Sequence, residues 1–193
     1  MNQWWQYWKG NFSKKDCEGI VKSALTFPSK DGEIGHAANR TIKDDSVRKS
    51  TIRWLPRFSQ EFYPLFGHLE ILFHESNKDA FGFDLKLFHE VQFTEYHATQ
   101  SGKYDWHHDT KWVSSQPYRR KLSMAIQLSD PNDYEGGVFE FHPEDVNQLP
   151  PPEELLPQGT VIIFPSFLRH RVTPVTKGTR YSLVTWYEGP SFR

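Results

Sequence analysis

Apolar positions recur along this chain with two different periods, and the change from one to the other organises it. Residues 3–8 (Gln-Trp-Trp-Gln-Tyr-Trp) read as a strand whose aromatics suit a half-buried pleated surface. Ser13 is placed to cap a helix in which Cys17, Ile20, Val21 and Ala24 form one apolar stripe, and Pro28 follows its end. Residues 29–46 are polar and predict a surface loop. The segment 50–55 predicts a strand with Ile52 and Trp54 on one side. Between 57 and 78, Phe58, Phe62, Leu65, Phe66, Leu69, Leu72 and Phe73 recur near a helical period, with Pro64 and Gly67 predicting an interruption. After Phe81 the pattern turns to short β-type runs at 89–97, 104–109, 121–128, 137–142, 160–164, 168–175 and 180–188. Turn residues separate these runs. Gln148 to Gln158, rich in proline, reads as a stiff connector. The expectation is one domain over 1–193, with a helical support region at 1–80 and an all-β core at 81–193 that closes as a sandwich or barrel.

Composition narrows the function. A formal charge of −1, from 23 Lys+Arg against 24 Asp+Glu, leaves no excess for general phosphate contacts, so nucleic acid is not an expected partner. The 37% hydrophobic and 16% aromatic content is that of a packed core rather than a disordered chain. A single cysteine, Cys17, permits no internal disulfide and no cysteine-rich zinc site, which favours a reducing compartment and a cytoplasmic protein. No apolar run reaches the roughly 18 residues of a membrane span, and the Gln-broken N-terminus lacks the apolar stretch of a signal peptide.

The chemistry concentrates in Tyr104-Asp105-Trp106-His107-His108-Asp109. On a strand, His107 and Asp109 share a face and His108 points away. A metal held there needs a third ligand, and His170, after the apolar run ending at Phe164, is the best-placed candidate. Two histidines and one carboxylate on one face of a metal leave open positions, an arrangement suited to non-haem Fe(II). Ten residues on, Arg180 opens a run in which Arg180, Ser182, Val184 and Trp186 share a face. If that face is interior, the guanidinium must find an anion. Its planar fork matches a carboxylate, with Ser182 as a further donor. A dicarboxylate cofactor reaching from metal to Arg180 would satisfy it.

This order and spacing resembles the Fe(II)/2-oxoglutarate dioxygenases, and within them the prolyl 4-hydroxylase-like branch. Gly102 to Asp109 is similar to that branch's Gly-x-Tyr-x-x-His-x-Asp, Gln92 to Tyr96 to the strand before it, and Tyr134 to Gly137 to its Tyr-x-Gly-Gly turn. His170 to Val175, followed by Gly178 to Ser182 and Trp186, resembles its C-terminal signature, and Phe12 to Cys17 and Arg48-Lys49-Ser50 resemble its N-terminal part. The resemblance implies a mainly β fold with N-terminal helices, its core a double-stranded β-helix (jelly roll). Fe(II) would be held by His107, Asp109 and His170, with 2-oxoglutarate on Arg180. Tyr96 would lie near the cofactor. Gln127 stands where hypoxia-type relatives place a tyrosine on the far carboxylate, and its amide is expected to donate there. Tyr104, Trp106 and Trp186 are expected to line the substrate space, although Trp106 and Trp112 suit packing equally well.

The implied reaction hydroxylates a C–H bond, most simply of proline in a peptide or protein, and converts 2-oxoglutarate to succinate and CO2. Ascorbate is the implied auxiliary reductant. Segments 29–46 and 110–118 are candidate lids. The alternatives are hydroxylation of a free amino acid or other small molecule, and a non-catalytic metal-binding jelly roll. A zinc hydrolase would leave Arg180 unexplained. A base demethylase is disfavoured because the second arginine of that branch is Trp186 here. His89, His97 and His142 read as surface or satisfied core histidines.

Overall fold

Helix α1 (Lys14–Ala24) begins where a capping box closes. The Asp16 amide donates to Ser13 Oγ at 3.2 Å while the Ser13 amide donates back to Asp16 Oδ2 at 3.0 Å. The computed structural model describes residues 4–36, 40–88, 90–112 and 115–192. His89 and parts of both candidate lids lie outside them.

Ahead of α1 runs strand β1 (Gln6–Trp8). After it come β2 (Lys30–Asp31), β3 (Ile34–His36), β4 (Arg40–Ile42), β5 (Arg48–Lys49), β6 (Thr51–Leu55) and helix α2 (Tyr63–Ser76). The expected loop at 29–46 thus holds strands. It reads as loop because β2 is exposed on both faces, so no apolar alternation marks it. Pro64 does not interrupt the helix. It stands in the first turn of α2, where its missing N–H has no partner to lose. A π-helical turn (Asn77–Phe81) extends α2 and ends at Gly82 with φ +68°.

The remaining strands are β7 (Leu87–Phe88), β8 (Val91–His97), β9 (Lys103–His107), β10 (Tyr118–Gln127), β11 (Tyr134–Gly136) and β12 (Phe139–Phe141). A short helix α3 (Pro152–Leu155) sits within the proline-rich connector, and β13 (Val161–Pro165), β14 (His170–Val172) and β15 (Val175–Pro190) complete the chain. All strand pairs are antiparallel. A major sheet runs β1-β13-β10-β15-β8-β6-β2, with β7 and β11 also paired to β15, and a minor sheet runs β12-β14-β9-β5. These form the jelly roll. The boundary at residue 80 does not separate the layers, because β1, β2 and β6 join the major sheet and β5 the minor one.

Helix α2 buries Leu65, Phe66, Leu69, Leu72 and Phe73 in a core shared with Phe93, Leu122, Ile126, Ile163 and Leu183 of the major sheet. One face of that sheet is therefore sealed by helices. The other face, opposite the minor sheet, encloses a cavity of ≈ 210 Å³. No helix among the described residues is long and apolar enough to cross a membrane.

The N-terminal segment is fastened to the core at Gly159. The Phe12 amide donates to the Gly159 carbonyl at 3.1 Å. Gly159 has φ +81°, and a Cβ there would run into the Phe12 carbonyl oxygen. Gly159→Ala is therefore expected to cost about 1–3 kcal/mol, the range for left-handed strain at a non-glycine residue, read as a lower urea midpoint.

Candidate active site

Strands β9 and β14 lie side by side in the minor sheet, with His107 directly opposite His170. Asp109 stands just beyond the end of β9, not on the strand as alternation predicts. There the chain is held by the Ser166 carbonyl, which accepts from the Asp109 amide at 2.8 Å and the Thr110 amide at 3.1 Å. The carboxylate lies between the two rings: Asp109 Oδ1 is 3.7 Å from His107 Nε2, and Oδ2 is 3.6 Å from His170 Nε2. All three ligand atoms fall within 4.8 Å of one another.

Backbone carbonyls set the tautomers. His107 Nδ1–H donates to the Asp105 carbonyl at 2.7 Å, and His170 Nδ1–H donates to the Leu168 carbonyl at 2.9 Å. Each Nε2 lone pair is then aimed at the common point, the form in which imidazole binds a metal. Burial, with His170 close by, pushes His107 down to about 3. Burial alone would raise the Asp109 carboxyl, but His170, His107, Arg120 and the Ser123 hydroxyl together hold it well below the usual carboxylate range. Ser123 Oγ donates to Asp109 Oδ2 at 2.7 Å and lies 2.9 Å from Ser166 Oγ. Two imidazoles with converging Nε2 atoms and a carboxylate are a donor set that a divalent cation can use.

The opposite wall belongs to the major sheet. Arg180, Ser182, Val184 and Trp186 of β15 all face the cavity, as their alternation predicts. Arg180 is 5% exposed, and its Nη1 has no hydrogen-bond partner among the described residues. A buried guanidinium nitrogen left unpaired calls for an anion in the cavity. One carboxylate of 2-oxoglutarate fits that requirement. Tyr96, across the β8–β15 ladder from Arg180, also lines the cavity, its ring 5.7 Å from the guanidinium carbon. Gly137 makes room for the arginine: at φ +60°, a Cβ there would lie 2.9 Å from Arg180 Cδ.

Three candidates differ in placement. Gln127 lies opposite Ser182 but does not line the main cavity, because its amide donates to Tyr134 Oη at 2.8 Å and the Ser129 carbonyl at 3.1 Å. Tyr104 lines the cavity and stacks on His107 at 3.4 Å, while Trp106 faces outward against His142 and under Arg171. A β-bulge separates them. Between the paired positions Val172↔Tyr104 and His170↔His107, β9 spends one residue more than β14, so Tyr104 and His107 share a face despite their odd spacing. Trp112 is 57% exposed against His108 and Phe192 and does not line the cavity. His97 is satisfied by Thr179 and Glu95.

The sequence reading missed Arg48, Arg120 and Ser123, all on the cavity wall. A second bulge, between Arg120 and Leu122 of β10, turns Arg120 onto the face of Ser123. Arg48 carried a signal in Arg48-Lys49-Ser50, which resembles the family's N-terminal part, whereas Arg120 and Ser123 fall on one face only through the bulge.

Comparison with known proteins agrees with this geometry. The model of the 2OG-Fe(II) oxygenase superfamily matches residues 91–188. A PKHD-type hydroxylase of Synechococcus sp. (strain JA-2-3B'a(2-13)) is 34% identical over 105 residues, 53% of this chain and 44% of that protein. PKHD-type hydroxylase Syncc9605_1577 of Synechococcus sp. (strain CC9605) is 40% identical over 87 residues, 44% of this chain and 36% of that one. The chain thus spans less than half the length of these curated relatives. Among solved structures, the fold is shared with a viral collagen prolyl hydroxylase from Paramecium Bursaria Chlorella virus-1 in its 2OG complex, at TM-score 0.68 and 17% identity, covering 97% of both chains. It is shared also with a Trichoplax adhaerens prolyl hydroxylase in complex with a hypoxia inducible factor peptide, at TM-score 0.75 and 15% identity, covering 96% of this chain and 84% of that one.

Two predictions follow from the site's electrostatics. An unfolded histidine takes up a proton near pH 6.5, whereas buried His107 stays neutral down to about 3. Its contribution to stability is therefore full above about pH 6.5 and is lost as pH falls toward 3, by at most about 1.4 kcal/mol per pH unit. Between pH 7 and 5 the metal-free wild type should lose more of its urea midpoint than His107→Gln. Ser123→Ala, which leaves Asp109 without its hydroxyl donor, should weaken metal binding about 10–100-fold by titration.

Proposed function

The chain belongs to the 2OG-Fe(II) oxygenase superfamily, and from that premise we propose that it hydroxylates a C–H bond, of a prolyl residue in a peptide or protein, while 2-oxoglutarate is converted to succinate and CO2. The observation that carries the reading is the pairing, in one cavity, of the His107–Asp109–His170 cluster with the buried, unpartnered Arg180 Nη1. His107, Asp109 and His170 would hold the ferrous ion. Arg180, with Ser182 beside it, would grip the far carboxylate of 2-oxoglutarate. Bound iron supplies the activation of O2 for C–H oxidation, and ascorbate would serve to return stray ferric iron to the working state.

The protein's own share is orientation and exclusion. Backbone carbonyls fix both imidazoles, Ser123 fixes the carboxylate, and burial keeps Tyr96 and Tyr104 in their protonated phenol forms, the latter pushed up to about 12. Trp186, Phe139, Phe164 and Val184 give the cavity apolar walls that limit water around the reacting centre. Support for a prolyl peptide substrate comes from the prolyl hydroxylase fold neighbours, one of them solved with a peptide, and from the sequence signatures around His107 and His170. A free amino acid is the second reading, favoured by the modest cavity of ≈ 210 Å³.

Incubation of proline-containing peptides with Fe(II), 2-oxoglutarate and ascorbate is expected to add 16 Da, the mass of one oxygen atom, to proline. Mass gain on free proline alone would replace the peptide reading by the small-molecule one. His107→Ala and Asp109→Ala should abolish succinate formation. Arg180→Ala should raise the half-saturating 2-oxoglutarate concentration by about 10-fold or more, the loss of a charge-assisted clamp. An unchanged half-saturating concentration would remove Arg180 from the cofactor site.

A further inference from the structure

The cavity wall carries more positive charge than the proposed reaction uses. Arg180 is committed to the cofactor carboxylate. Glu33 is tied to Lys30 Nζ at 3.3 Å and to Thr41 Oγ1 at 2.9 Å and also attracts Arg48, and Asp109, between the imidazoles, attracts Arg120. Arg48 and Arg120 remain on the wall, with Lys111 at the lip beside Gly35.

Arg48 is 6% exposed, yet among the described residues its guanidinium donates to neutral oxygens, Ser50 Oγ at 2.8 Å and the Glu33 carbonyl at 3.1 Å. No carboxylate of the described residues forms an ion pair with it. Its central carbon lies 4.5 Å from the Tyr104 ring centre, and that ring stacks on His107. The charge is therefore next to the metal-ligand cluster. Arg120 lies 3.5 Å from the Trp186 ring centre and opposite Glu188 on β15. Glu188 is half-buried and its attraction is divided among Arg120, Arg119 and Lys111. Arg48 and Arg120 repel one another across the site. Among the described residues the cavity wall sets Lys30, Arg48, Lys111, Arg120 and Arg180 against two carboxylates, Glu33 and Asp109, and the guanidiniums of Arg48 and Arg120 form a receptor for an anion.

We propose that the substrate brings that anion: a carboxylate carried close to the carbon that is hydroxylated, received by Arg48 and Arg120 with Lys111 at the entrance. This rests on the hydroxylase reading and names the substrate class within it. The carboxylate is that of an acidic side chain next to the reactive residue, or the free end of a chain or amino acid. Both present the same planar oxygen pair to a guanidinium fork.

The test uses one short peptide series in which the residue beside proline is Glu, Gln or Lys, plus a series ending in proline with a free or amidated terminus. Binding to the wild-type protein is measured calorimetrically, without turnover, at low and high salt. Oxygen incorporation is read separately by mass. The Glu peptide or the free-terminus peptide is expected to bind at least tenfold tighter than its neutral counterpart. That advantage should shrink at high salt. Arg120→Gln should bring the ratio below threefold, and Arg120→Lys should restore part of it.

A preference for the Glu side chain assigns the anion to a peptide interior, and a preference for the free terminus assigns it to a chain end or amino acid. Equal binding of charged and neutral members in both series overturns the proposal, even if all of them gain oxygen on proline. Tight, salt-sensitive binding of the acidic member without oxygen on any proline leaves this inference standing and removes the prolyl reading instead. If Arg120→Gln fails to fold, the wild-type ratios decide alone.

Discussion

Two imidazoles and a carboxylate share one buried point, and every other part of the site is arranged around the difficulty of keeping them there. A buried carboxylate is costly unless paired, and Asp109 lies between the two imidazoles with the Ser123 hydroxyl donating to it. What holds the arrangement together is backbone geometry. The antiparallel register of β9 and β14 sets His107 against His170, and one carbonyl two residues before each histidine fixes its ring. The Ser166 carbonyl fixes the backbone at Asp109. The cluster is thus pre-formed with its lone pairs converging, and a divalent cation would offset the burial of the carboxylate rather than have to organise it.

The two sheets divide the work. The minor sheet and the turn beyond β9 carry the metal-ligand cluster, and the major sheet carries Arg180, Ser182 and Tyr96. A site built between two sheets needs the sheets held in a fixed relation. The helices provide that on one side, where α2 packs Leu69 and Phe73 against the back of β15 and its neighbours. Alternation on β15 then does two things at once: Leu183 and Tyr187 are anchored in the helical core while Arg180, Ser182, Val184 and Trp186 project into the cavity. A one-residue slip in that strand would exchange the two sets. The Tyr-x-Gly-Gly turn contributes through absence of a side chain, since Gly137 leaves space for the Arg180 stem.

What could be read from the sequence was what strict periodicity carries. The Ser13 cap, the strand over Thr51–Leu55, the inward face of β15 and the convergence of His107, Asp109 and His170 follow from local rules. The placements of Trp106 and Arg120 share a cause, a break in that periodicity that no single residue announces. The bulge in β9 turned Tyr104 inward and Trp106 outward, and the bulge in β10 brought Arg120 into the site. Bulges re-aim side chains where strands meet a functional site, and both of these lie there. Gln127 was misplaced for a different reason: its partner Tyr134 comes from a turn, and only the three-dimensional fold shows the hydrogen bond that occupies the amide. The strands within 29–46 were hidden because they are short and wet, formed by pairing with β6 or with each other rather than by burying an apolar face.

The wall of the cavity is drawn from two parts of the chain. His107, Asp109, His170, Arg180, Ser182 and Tyr96 all fall within the stretch 91–188 that carries the family likeness. Lys30, Glu33, Arg48, Ile52 and Trp54, which complete the wall of the same cavity, all precede it. They come from β2 and β6 at one end of the major sheet, β5 at the edge of the minor sheet, and the turn between β2 and the separate β3–β4 hairpin. A fold of this kind can retain its oxidation chemistry while the charge at its mouth is rewritten. The buried guanidinium of Arg48, bonded to neutral oxygens and leaning on the ring that stacks on His107, is where the two parts of the chain meet. The proposed anion receptor is thus drawn from both parts of the chain, Arg48 from the strands that precede the family stretch and Arg120 and Lys111 from within it.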